Sequence, residues 1–96
     1  MSRSLLERRL TEVAGRLREL RRELVLTDEQ LLFLSDQADE MRVRALVAET
    51  PIAEQELREA QRHADAMLRH RAGVQTSIER LERTQDELLD RLSAQR

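Results

Sequence analysis

Apolar residues recur along this chain in alternating steps of four and three, and few folds can accept that spacing. Leu6, Leu10, Val13, Leu17, Leu20, Leu24, Thr27, Leu31, Leu34, Ala38, Met41, Ala45 and Ala48 form the first series, with Thr27 its only polar member. Ala53, Leu57, Ala60, Ala64, Met67, Arg71, Val74, Ile78, Leu81, Gln85, Leu88 and Leu92 form the second, with Arg71 and Gln85 as its exceptions. A 4–3 repeat places every member on one stripe of an α-helix and sets two such stripes against each other as the a and d positions of a coiled coil. The composition of the chain reads the same way, as long helix or coiled coil. Phe33 is the one aromatic residue, there are two glycines and one proline, and 38% of residues are charged. A globular core would need more aromatic bulk.

The two series meet at "AETPIAEQE". Thr50 can cap a helix with its hydroxyl, and Pro51 suits a first helical position while disfavouring helical geometry at Thr50. The expected fold is therefore all-α: an antiparallel two-helix coiled-coil hairpin in a single domain, residues 1–96. Helix 1 should cover about 3–49, the turn about 49–51 and helix 2 about 51–94. A connection this short joins antiparallel neighbours, and arms of this length would extend ~65 Å. Folding at Glu49–Thr50 sets Ala48 against Ala53, Leu34 against Met67, Leu24 against Ile78 and Leu10 against Leu92. The same register brings Glu7 to Arg96, Arg21 to Glu82 and Arg44 to Glu56, with Arg9 facing Arg91 as a like-charged pair. Near the middle, Thr27, Arg71 and Gly73 share a level, and a guanidinium there should reach outward, to Asp28. Gln85 opposite Leu17 would fix register.

The stretch "LVLTDEQLLFLSDQ" carries a helix-start signature, "TDEQ", inside the first series. The 4–3 phase passes through Thr27 unchanged, so continuous helix is expected. Leu24, Leu31 and Leu34 then serve the seam, and Val25, Leu26, Leu32 and Phe33 fall on outer positions. With Leu68 they make a candidate face for self-association or for a partner. A second candidate patch gathers at the turn: Val43, Leu46, Val47 and Ile52. Clustered exposed apolar residues mark association surfaces. A two-helix hairpin also gains from association, because it cannot fully cover its own seam. A two-fold dimer forming a four-helix bundle is the expected arrangement.

Charge narrows the function classes. Formal net charge is −2, and all 17 basic residues are Arg, the usage of a high-GC bacterial genome. Clusters such as "RLRELRR" interleave acids and lack aromatics for base stacking, which argues against nucleic-acid binding. Glu49, Glu54 and Glu56 form a candidate acidic tip at the turn, suited to a basic partner or simply to solvent. His63 and His70 stand among arginines that repel cations, so they are expected to be surface residues and no metal is expected. With no cysteine, phosphate loop or nucleophile elbow, neither catalytic residues nor a cofactor site is expected, and the chain is not expected to be an enzyme. No apolar run approaches a membrane span and the N-terminus lacks a signal-peptide core, so a cytoplasmic location without membrane contact is expected.

In outline the chain resembles free-standing coiled-coil hairpins such as prefoldin arms and the acidic-tipped domain of transcript cleavage factors. Coiled-coil anti-sigma factors of actinobacteria bind cyclic di-GMP through ExxxSxxRxxxQxxxD. Ser77 and Arg80 fit two of those places, and Gly73, Thr84 and Leu88 occupy the other three, so the nucleotide function does not carry over. The expected function is a non-catalytic scaffold, adaptor or regulatory subunit acting through protein–protein contacts and self-association. The alternatives are a transcription regulator binding a sigma factor or RNA polymerase, and a nucleotide-second-messenger-binding coiled coil.

Overall fold

The computed structural model describes residues 2–95, which form two helices packed against each other, with no strand among the described residues. Helix α1 runs Arg3–Ala48 and helix α2 runs Pro51–Ala94. The start of α1 is capped by Ser2, whose hydroxyl accepts from the Leu5 amide at 3.2 Å, satisfying one of the four free N–H groups of the first turn. The helix continues unbroken through Leu24–Gln37. Thr27 does not cap anything there. Its side chain is buried in the seam.

The connection is two residues long. Glu49 sits at φ 52°, the left-handed conformation that commonly ends a helix and that glycine usually fills. Its amide donates to the Ala45 carbonyl at 3.1 Å, closing the last turn of α1. Thr50 then caps α2 as its side chain was expected to, accepting from the Ala53 amide at 3.2 Å. Pro51, which has no amide proton to place, opens the helix.

The chain divides into two compact units. The first comprises residues 2–24 and 73–95. Its buried core is Leu6, Val13, Leu17, Leu20, Val74, Ile78 and Leu88, with Leu10, Leu24, Leu81 and Leu92 packed against it. All eleven are members of the 4–3 series. On its flank Arg21 donates to Glu82 across the helices at 3.3 Å, the pairing that the register implied. Gln85 is half-buried and Arg9 and Arg91 are both exposed. Glu7 pairs within its own helix, with Arg3 at 3.1 Å. Its expected partner Arg96 lies outside the described residues.

The second unit is Val25–Ala72. Its buried side chains are small: Thr27, Ala38, Ala53 and Ala64. Leu31, Leu34, Met41, Ala45, Leu57, Ala60, Met67 and Arg71 are half-buried around them. Ala48 departs from the seam and is exposed. The chain leaves helical geometry one residue later, so nothing covers its methyl. Arg42 bridges this unit, donating to Asp39 in its own helix at 2.7 Å and to Gln61 of α2 at 3.1 Å. Arg44 and Glu56, by contrast, form no ion pair among the described residues, although they line one shallow depression.

Candidate interaction surface

Within the heptad that the seam defines, positions b, c and f point away from the partner helix. Eight large apolar side chains of α1 are exposed: Leu5, Val25, Leu26, Leu32, Phe33, Val43, Leu46 and Val47. Every one falls on b, c or f. Apolar residues thus lie on opposite sides of α1, and the helix is much less one-sided than α2. A helix that faces water on its back has no use for this second stripe.

The stripe is concentrated in one unit. Among the described residues, eleven large hydrophobic side chains are exposed; nine belong to the turn unit, and Leu5 and Leu89 to the other. The turn unit therefore buries alanines and exposes leucine, valine, isoleucine and phenylalanine. The other unit buries Leu6, Leu17, Leu20 and Leu88. The backs of α1 residues Val25, Leu26, Leu32 and Phe33 are 59%, 59%, 66% and 61% exposed, which leaves most of each side chain in water. Glu29 stands at the centre of these four, one helical turn from each.

Phe33 lies beside a shallow depression lined by Glu29, Gln30, Leu34 and Met67. Leu68 does not line it. Leu68 takes an e position, on the flank that carries Asp28, Arg42 and Gln61, whereas Phe33 leans toward the g flank. The two share a level on different edges of the seam, and Leu68 is 51% exposed.

At the turn, Val43, Val47, Ala48, Ile52 and Ala53 line a largely apolar depression with Arg44, Thr50 and Glu56. Val47 and Ile52 are 80% and 71% exposed. Glu49 and Glu54 line one depression together with Thr50, Pro51 and Arg58. Glu56 lines the apolar turn depression and also one with Gln37, Met41, Glu59, Ala60 and His63. Arg58 supplies a cation beside the first two, and Glu54 also meets the positive end of α2. Among the described residues no group of three or more His, Asp or Glu side chains could hold a metal ion, and no helix is long and apolar enough to cross a membrane. His63 and His70 are both exposed.

The polar layer at Thr27 and Arg71 is resolved by reach. Arg71 Nε donates to Asp28 Oδ1 at 2.5 Å. That hydrogen bond, and the carboxylate charge behind it, hold the guanidinium even more firmly protonated than usual. The charge leaves the seam by snorkelling, and only the stem remains at the core position.

The left-handed backbone at Glu49 had no signal, since glycine is the usual marker. Leu5 and Leu89 were visible as leucines adjacent to seam leucines, but each stands alone on its face. Set against protein-family models, curated proteins and solved structures, the chain matches none.

Proposed function

We propose that this chain is a non-catalytic coiled-coil protein, a scaffold, adaptor or regulatory subunit, that works through protein–protein contacts and associates with itself. The observation that carries this reading is the inversion in the turn unit. Nine large apolar residues are exposed there while the buried positions are filled by Ala and Thr. Burial of apolar surface is the main favourable term in association, and a cluster this size is more than scattered surface leucines. The two-fold dimer is the simplest closed arrangement, because one patch then covers its own copy.

The test is a single charge placed in the patch. Phe33→Asp should leave helicity by circular dichroism near wild type, because Phe33 is not part of the seam, while the species eluting in size-exclusion chromatography becomes smaller. Unchanged elution of Phe33→Asp and of Leu32→Asp would remove the patch from the account.

A further inference from the structure

We propose that the turn end of α1 docks a basic amphipathic helix of a different protein. The proposal stands apart from the self-association read at Phe33, and every residue it uses lies in the turn unit, Val25–Ala72.

The outer positions of α1 from residue 36 to 47 are Asp36, Asp39, Glu40, Val43, Leu46 and Val47, and each is exposed. Three carboxylates are thus followed by three aliphatic side chains, with no cation among them. Ile52 extends the apolar end across the turn, where it lines one depression with Val43 and Val47. Val43 also lines the depression that holds Asp36, Asp39 and Glu40, so the acidic and apolar parts are one continuous surface. Of the flanking arginines, Arg42 is engaged by Asp39 at 2.7 Å and by Gln61 at 3.1 Å. Arg44 lines both depressions but forms an ion pair with neither Asp36 nor Glu40 among the described residues. Residues 36–59 carry seven carboxylates and three arginines, a net charge of −4.

Charge decides what covers this surface. Val43, Leu46, Val47 and Ile52 are 61–80% exposed and offer roughly 450 Å² of apolar area, the size of the largest patch on a typical monomer. A second copy lying parallel and in register sets carboxylate on carboxylate, which is repulsive. Running antiparallel over the same stretch, it lays Asp36 on Val47 and Glu40 on Val43, so aliphatic groups cover carboxylates that lack a cation. Asp39 alone then meets one, Arg44, and Asp39 is already held by Arg42. Shifted until aliphatic meets aliphatic, the pair brings Glu40 level with the turn that carries Glu49, again acid toward acid. The outer arginines of α2 in this unit, Arg58, Arg62 and Arg69, stand with Ala66 and Ala72 rather than with large aliphatics, so the second copy offers no basic apolar face from there. An anionic lipid surface is repelled. A helix with large apolar residues over Val43, Leu46 and Val47, and Lys or Arg one and two turns along over Glu40 and Asp36, matches both parts. It would lie along about 16 Å of α1.

The probe is a designed helical peptide with leucines at one end of one face and lysines along the rest of that face. Its analogue carries Glu for every Lys. Fluorescence anisotropy with the full-length chain should show the lysine peptide binding in the micromolar range, about 1–100 µM, and the analogue at least about tenfold more weakly. Asp36→Lys/Glu40→Lys should weaken the lysine peptide by about tenfold or more and tighten the analogue. Leu46→Asp adds a carboxylate and should nevertheless weaken the lysine peptide, because an apolar contact is lost. All three positions are exposed, so helicity by circular dichroism should stay at the wild-type value, as should the mass of the free chain in sedimentation equilibrium. Failure of the lysine peptide to bind, equal binding of the analogue, indifference to the double reversal, or tighter binding to Leu46→Asp overturns the proposal. So does a lowered free-chain mass in these variants, which would make a second copy the occupant. A monomeric wild type that still takes the lysine peptide removes self-association and leaves this proposal standing.

Discussion

Arg71 Nε donates to Asp28 Oδ1 across the two helices at 2.5 Å, from a position that the heptad assigns to the seam. The side chain has left the core it was placed in. Beside it Thr27 is 3% exposed, so the layer holds a buried hydroxyl-bearing residue and an arginine stem where Leu would pack. Arg71→Leu should therefore raise the urea midpoint, because the exposed ion pair it removes contributes little and an apolar side chain completes the seam. Asp28→Ala should leave the midpoint nearly unchanged. A fall in the midpoint of Arg71→Leu would mean that the polar layer stabilises this register rather than merely being tolerated.

Glu49 adopts φ 52° without being glycine. An L-residue there costs about 1–2 kcal/mol, while glycine loses part of that advantage to backbone entropy. Glu49→Gly should stabilise the hairpin by up to about 1 kcal/mol. Thr50→Ala should destabilise it by about 1 kcal/mol, through loss of the cap to the Ala53 amide. Thermal melts of the two variants should shift in opposite directions.

Gly15 and Gly73 lie inside helices with room for a methyl group. A Cβ at Gly73 would meet nothing within 4 Å, and one at Gly15 would meet only the end of the Arg18 side chain at 3.8 Å. Each Gly→Ala change should stabilise by about 1 kcal/mol. Gly73 is on α2, away from the α1 stripe, so Gly73→Ala should also leave the dimer constant unaltered. Weakened association in that variant would place a close helix approach on α2 instead.

The two units should respond differently to truncation. Leu17 is 1% exposed in a core of leucine, valine and isoleucine, and Leu17→Ala should cost about 2–5 kcal/mol. Leu46, 73% exposed in the turn unit, should cost under about 0.5 kcal/mol when changed to Ala in the monomer. Denaturant titration at low micromolar concentration separates these effects from association.

Most of the fold could be read from the chain because one rule, apolar residues at alternating steps of four and three, settles both secondary structure and partner face. Leu6, Leu17, Ile78 and Leu88 needed nothing more. The turn was legible through Thr50 and Pro51, whose chemistry is local. What could not be read depended on competition between near-equal alternatives. Arg42 reaches Asp39 and Gln61, while Arg44 and Glu56 stay apart, because exposed ion pairs differ by less than the entropy of the side chains that make them. The flank that Leu68 occupies is set by its heptad position rather than by its level. Residues at one level of a hairpin can sit on either flank, and Leu68 at e and Phe33 at c fall on opposite ones. The outer stripe was legible as residues. How far its side chains stand exposed, 59–66% for Val25, Leu26, Leu32 and Phe33, needed the structure.

Sedimentation equilibrium of the wild-type chain over the range from about one to a few hundred micromolar tests the central claim most directly. The account predicts a reversible rise from the 11.3 kDa chain mass to twice that value, lost in Phe33→Asp. A wild type that keeps the single-chain mass across the whole range contradicts it.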